Sequence, residues 1–438
     1  MTNIVPFKGY FYNPEKVGDL SSVVAPTQYN VSEEIRNKLY ELNEYNAVRL
    51  FDGKEYECDD EKSNKNTRAA QYLKEWIDQG VLVRDEEEAI YLYEETVEIR
   101  GTRYQNMTFV ALLEIDELGG NIRMCEEIRE ISKKDRYDLL KATNADLSMI
   151  SCLYIERDKQ LLNMMNKLSH RDPDVEIEAT EYDMHQRVWR ITEKETIDRI
   201  ADLLKNLNLY ITDGQTRYMT CLQYRDWMRE NNPNHTGKEP YNYVMVSLFD
   251  SNSDGVAIMP EHRKIKLPRG FSEDFFVAAA QEHFKVEKII VDEHDEPITE
   301  TMKKQIQTKR AETKIAVYHG GNYFYRLTLN DTEYIKNSLL ADKSAAYCTL
   351  DTVVVRELIV NDIFAIEDDY EDLVSTSISS NECAKAIEDG TADVMIVLNP
   401  IKVEAIHAVT EEGETLPFRT LSIFPKPSVG TIINIKED

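Results

Sequence analysis

Leu207-Asn208-Leu209-Tyr210-Ile211-Thr212-Asp213-Gly214-Gln215-Thr216-Arg217-Tyr218-Met219-Thr220 decides how this chain is read. A short apolar run ends in Asp-Gly and passes directly into an amphipathic stretch, which predicts a strand, a tight turn and a helix. Gly214 permits the turn and lets a ligand come close to the backbone. The helix that follows presents unpaired N–H groups and the positive end of its dipole, a setting that suits phosphate. Arg217 falls in the first turn, where a cation is electrostatically misplaced unless it meets an anion. Asp213 has the oxygen chemistry of a Mg²⁺ ligand.

Outward from this stretch, helix 193–206 lies between apolar runs at 187–191 and 207–212 and predicts a βαβ unit. The helix after Asp213 is expected to reach Asn231. Further strands are expected at 45–50, 81–83, 89–93, 108–115, 151–155, 243–249 and 256–259, the last two as a pair. Helices are expected after Ser32, from Ala69 to Gln79 and around Asp135 to Ala142. In the last third, strands (316–318, 323–329, 394–398, 432–435) alternate with helices (331–339, 382–388, 401–408). Gly320-Gly321 marks a hairpin turn rather than a phosphate loop. The chain reads as α/β, mixed α+β. The turn-rich His170 to Asp174 and the charged stretch 290–312 suggest three consecutive regions: 1–170, 171–290 and 291–438.

The 438 residues include 24 tyrosines, 42% hydrophobic residues, 16 glycines and 13 prolines, the composition of a folded protein with few linkers. A formal charge of −28 argues against nucleic acid or an anionic membrane as partner. On so acidic a chain, isolated Arg and Lys residues become informative. Six scattered cysteines form no Cys-x-x-Cys pair and indicate neither a zinc ribbon nor a disulfide framework. No signal peptide and no apolar run of membrane-spanning length is visible, so the cytoplasm is the expected compartment. Walker A, Gly-x-Gly-x-x-Gly and His-Glu-x-x-His motifs are absent from the sequence.

The opening stretch also resembles the Ile-Ala-Asp-Gly-His-His-Arg-Tyr box of a bacterial family known as a domain of unknown function, DUF1015. The box is in turn similar to that of the ParB/sulfiredoxin-like superfamily, whose members bind nucleotide phosphates and in some cases phosphorylate free serine. The resemblance runs through the chain in order: Pro6-Phe7-Lys8-Gly9, Ala25 to Ser32, Gly120 to Glu127, Asp135-Arg136, Trp189, Met259 to Arg263, Gly413 to Thr420 and Phe424-Pro425-Lys426. Four family histidine positions hold Cys125, Gln186, Gln215 and Thr216. Asn30 replaces a usual Asp, and Ile128 a usual Thr. Neutral Gln and Thr cannot serve as general bases near pH 7, as histidine can.

The resemblance implies a ParB/sulfiredoxin-like core with an elaborated N-terminal region and a C-terminal α/β domain. It implies a nucleotide-dependent kinase of a small, serine-like hydroxyl substrate, using ATP or ADP with Mg²⁺. Gly214, Gln215, Thr216, Arg217, Arg263, Arg419 and Lys426 are then the expected nucleotide contacts, Asp213 the metal ligand, and Glu126 and Asp213 the catalytic carboxylates. The lost histidines leave a second reading open: a catalytically degenerate paralogue that regulates by binding a nucleotide or a protein.

Overall fold

In the computed structural model, residues 1–26, 31–99, 102–127, 131–178, 184–292, 296–308, 312–366 and 370–437 are described. Asn30 and Ile128, singled out in the sequence, lie outside them. The architecture is mixed α/β, with several sheets. The chain folds into two compact units. The first comprises Met1–Met124, Ile128–Ala257 and Ile423–Asp438; the second comprises Cys125–Glu127 and Ile258–Ser422.

A nine-stranded sheet organises the first unit. Its strands are β1 (Ile4–Val5), β2 (Ile90–Ile99), β3 (Thr102–Glu114), β4 (Ile122–Met124), β5 (Ile150–Tyr154), β6 (Val175–Ile177), β7 (Met184–Ile191), β8 (Leu209–Asp213) and β9 (Tyr243–Asp250). Their order is β4-β8-β5-β9-β3-β2-β7-β6, with β1 also on β3. Only β4/β8 and β5/β9 pair in parallel. β8 is buried along its whole length, which explains its unbroken apolar run. One face packs Leu92, Phe109, Ile150, Cys152, Trp189, Ile211 and Leu248 into the main core with Tyr218, Cys221 and Tyr224 from the long helix.

Three helices of this unit matter below: α1 (Ile131–Thr143), α2 (Lys194–Leu204) and α3 (Gln215–Asn231). α2 connects β7 to β8, as expected, and these strands run in the same direction. They are not neighbours, because β2, β3, β9 and β5 lie between them. Two other expectations change. Residues 45–50 contain no strand; Val48–Phe51 is a helical turn, held because the buried Asn46 side chain accepts from Val48 N at 3.0 Å and donates to the Ser22 and Val24 carbonyls. Ala257–Met259 is a strand, but β9 pairs with β3 and β5 instead.

The second unit contains an entirely antiparallel six-stranded sheet. Its strands are β10 (His262–Ile265), β11 (Phe284–Ile290), β12 (Lys314–Tyr318), β13 (Tyr323–Leu329), β14 (Val374–Ser377) and β15 (Val394–Val397), in the order β11-β13-β12-β15-β10-β14. Gly320 and Gly321, at φ +115° and +82°, turn the hairpin between β12 and β13. Among the described residues no helix is long and apolar enough to cross a membrane. Of the six cysteines, Cys58 is exposed and the other five are buried.

Candidate functional site

β8 delivers Asp213 to the end of the sheet, and Gly214 turns the chain at φ +88° into α3. Among the described residues no side chain caps α3. The positive φ is what calls for glycine here, and a Cβ built on Gly214 would stand 2.8 Å from Arg217 Nη2, the end of a flexible side chain. Arg217 thus lies back over the turn rather than extending into solvent. Its Nη2 donates to Asp213 Oδ2 at 2.9 Å and to the Met149 carbonyl at 2.8 Å. Its Nε is buried without a hydrogen-bond partner among the described residues.

Asp213 meets a second cation. Lys426 Nζ donates to Asp213 Oδ1 at 3.0 Å across 213 residues of sequence. The two side chains are only 14% and 8% exposed. One carboxylate thus meets two cations on a chain of net charge −28. Two converging cations and a buried N–H donor of Arg217 suit an anionic oxygen. Gln215, in a family histidine position, turns its amide back on β8 and donates to the Ile211 and Thr212 carbonyls at 3.4 and 3.3 Å. Thr216 is half-buried in the first turn of α3.

Two cavities adjoin these charges. One is lined by Arg217 and Arg136, with Phe51, Leu139, Leu147 and Cys221 providing apolar walls. The other lies beside Asp213 and Lys426, with Asn106, Thr108, Ser151 and Ser247 in its wall together with the apolar Phe249, Ile423, Pro425 and Pro427. Asn106 and Thr108 were not singled out in the sequence. A signal for them exists: they occupy alternate positions of β3 in phase with the buried Val110, so polar side chains stand where the period-2 pattern calls for apolar ones.

The remaining sequence candidates belong to the second unit. Glu126 is 9% exposed, and its Oε1 accepts from the backbone N–H groups of Thr420, at 2.9 Å, and Leu421. That carboxylate anchors the 419–421 loop. Arg419 holds φ +58° and donates to Thr376 Oγ1 at 2.8 Å. Arg263 is 2% exposed and donates to the Glu261 carbonyl at 2.6 Å. His262 Nδ1 accepts from Leu398 N at 3.2 Å. The structure therefore brings Asp213, Gly214, Gln215, Arg217 and Lys426 together in one unit and places Glu126, Arg263 and Arg419 in the other.

Of the other family histidine positions, Cys125 and Gln186 are fully buried. Gln186 donates to Ser428 Oγ at 2.9 Å and accepts from Thr431. Ser428 in turn donates to Glu95 Oε1 at 3.1 Å. Among the described residues no three His, Cys, Asp or Glu side chains are grouped as a metal site.

The family model described as "Protein of unknown function (DUF1015)" matches residues 4–354. The chain belongs to this family. No curated protein matches it in sequence. Solved structures similar to it include a free serine kinase in complex with AMP, at 12% identity and TM-score 0.35, covering 75% of this chain and 91% of that one. A conserved hypothetical protein from Pyrococcus furiosus has 12% identity and TM-score 0.33, covering 75% and 95%. SbnI from Staphylococcus aureus, C-terminally truncated, has 11% identity and TM-score 0.36, covering 74% and 87%. Likeness at this level carries no argument about activity.

Proposed function

We propose that this DUF1015 protein binds the phosphates of ATP or ADP where β8 turns into α3, in the manner of ParB/sulfiredoxin-like proteins. The observation that carries the reading is Asp213 held between Arg217 and Lys426 beside an uncapped helix N-terminus, with Arg217 Nε buried and unpartnered. A phosphate oxygen supplies the missing acceptor, and the backbone N–H groups of the first turn supply donors. Gly214 keeps the approach open, while Gln215 and Thr216 shape it.

Asp213 is the oxygen ligand that would hold Mg²⁺, once Arg217 and Lys426 turn from it to phosphate oxygens. The ion would neutralise phosphate charge there. In this proposal the nucleotide serves a kinase of a small, serine-like hydroxyl. A second reading is a degenerate paralogue that binds nucleotide and regulates. Two observations favour it: the Gln215 amide is spent on β8 carbonyls, and the Glu126 carboxylate on two backbone N–H groups.

Titration calorimetry with ATP and ADP, with and without Mg²⁺, tests the common element. Binding that is lost in both Arg217→Ala and Lys426→Ala is expected, and affinity unchanged in both variants removes the proposal. Phosphoryl transfer to serine, assayed in the wild type and in a Gln215→His/Thr216→His variant, separates the two readings.

A further inference from the structure

Asp250-Ser251-Asn252-Ser253-Asp254-Gly255 has the spacing Asp-x-Asn-x-Asp-Gly, with which calcium loops set side-chain oxygens at alternate positions. The stretch leaves the end of β9 as a turn within the first unit. Gly255 has a structural reason of its own, since it packs on the Gln105 carbonyl of β3 with no room for a Cβ. The acidic side chains do not. By register Asp250 stands beside Tyr154 of β5 and alternates with Val246 and Leu248 of the main core. It therefore lies on the opposite face of the sheet from Ser247 and Phe249, which line the Asp213 cavity.

Asp250 is 0% exposed. Its Oδ1 accepts from Asn252 N at 2.8 Å and Asn252 Nδ2 at 2.7 Å, while Oδ2 is buried with no partner among the described residues. A second carboxylate is close. Glu156 is 7% exposed, its Oε2 accepts from Leu161 N at 2.9 Å, and its main-chain carbonyl accepts from Asn252 Nδ2 at 3.2 Å. Burial raises the Asp250 pKa, the Asn252 hydrogen bonds oppose this, and Glu156 adds to the rise. Neither carboxylate forms an ion pair among the described residues, and Lys159, a cation that acts on Asp250, is exposed. Two adjacent buried carboxylates repel unless a proton or a metal ion joins them. A proton on Asp250 would turn to the Tyr154 hydroxyl, which is likewise buried without a partner. That accounts for Asp250 but leaves the oxygens of Asn252 and Asp254, at the alternate positions, without a purpose.

We propose that this turn binds Ca²⁺, with Asp250 Oδ2, the Glu156 carboxylate, the Asn252 and Asp254 side-chain oxygens and water as ligands. Only two of the carboxylates are buried, so Asp254 swings in from the surface and Asn252 turns its amide oxygen to the ion. Ca²⁺ accepts such a mixed and irregular oxygen shell, whereas Mg²⁺ demands a near-ideal octahedron. All these ligands belong to the first unit, and the site is independent of the phosphate site.

The full-length protein, stripped with chelator, is titrated with CaCl₂ and with MgCl₂ in a calorimeter. Ca²⁺ should bind with a Kd of about 10⁻³ M or tighter, and more tightly than Mg²⁺. Asp250→Asn, which has the shape of the protonated acid, should weaken Ca²⁺ at least about tenfold, the worth of one charged ligand lost. Asp254→Asn changes an exposed side chain, leaves the fold intact and should weaken Ca²⁺ in the same direction. Asp213→Asn should leave Ca²⁺ affinity unchanged, which separates this site from the phosphate site. Tb³⁺ put in place of Ca²⁺ should show tyrosine-sensitised emission that falls in Tyr154→Phe. No binding heat with Ca²⁺ up to ~10 mM, beyond the weakest loops of this kind, overturns the proposal and leaves Asp250 as a protonated acid beside Tyr154. Ca²⁺ binding with the same affinity in Asp250→Asn and Asp254→Asn as in the wild type also overturns it.

Discussion

Replacing Glu95 with Gln should flatten the pH dependence of stability. Glu95 is 1% exposed on β2, opposite Asn106. Its Oε1 accepts from Ser428, and its Oε2 has no partner among the described residues. Burial raises its pKa from 4.5 to about 8, against smaller opposing effects of the Ser428 and Tyr93 hydrogen bonds. Between those values the native carboxyl holds a proton that the unfolded chain has released. Stability contributed by the neutral form is therefore full below pH 4.5, falls as pH rises, and levels off above about 8. The limiting slope for one proton is about 1.4 kcal/mol per pH unit, so the wild type should lose about 3 kcal/mol from this group between roughly pH 5.5 and 7.5. Gln has the shape of the protonated acid and does not titrate. Urea denaturation of both proteins at three pH values across that interval gives the difference directly. Asp351, whose pKa burial raises to about 6, titrates in both proteins and cancels. Wild-type and variant curves that run parallel with pH would refute the claim that Glu95 is protonated in the native state.

Three further outcomes are expected. Gly214→Ala should destabilise by about 1–2 kcal/mol through its positive φ and the contact with Arg217, and the penalty should shrink in an Arg217→Ala background because the 2.8 Å neighbour is gone; a denaturation double-mutant cycle measures this coupling. Lys436→Met should cost about 3 kcal/mol, because Lys436 Nζ bonds Asp146 Oδ2 at 2.9 Å with both side chains almost fully buried, and the variant leaves that carboxylate without its counter-ion, with only Met245 N and Asn434 Nδ2 still donating to the same oxygen; a melting temperature unchanged from wild type would contradict this. Glu126→Gln keeps an oxygen for the Thr420 and Leu421 N–H groups and should lose only about 1 kcal/mol of stability, so any phosphoryl transfer abolished in this stable variant would assign Glu126 as base, and transfer retained would leave it the anchor of that loop.

The main site was partly legible in sequence because local rules act over a few residues. The run Leu209 to Asp213, the glycine at 214 and the periodicity to Asn231 announce strand, turn and helix through burial pattern and backbone preference. Local rules misread 45–50, where apolar residues suggested a strand. The Asn46 side chain outweighs that preference by accepting from Val48 N where the helical turn begins and bonding two distant carbonyls. The strands flanking α2 were recognised, but their separation by four others was not, since strand order depends on pairings between distant segments.

By itself, then, the sequence determined the mixed α/β character, the family, and the Asp213-Gly214 turn with Arg217 one helical turn beyond. Only the tertiary structure decided which charges and polar atoms meet. Lys426 reaches Asp213 because the last sixteen residues, Ile423–Asp438, rejoin the first unit. Arg217 folds over Gly214, and Gln215 turns inward to the carbonyls of β8. Asn106 and Thr108 face a cavity because β3 pairs between β2 and β9 in one register, and a shift of one residue would send both to the opposite face. A side chain's chemistry is written in the sequence, but its partners are set by long-range pairing.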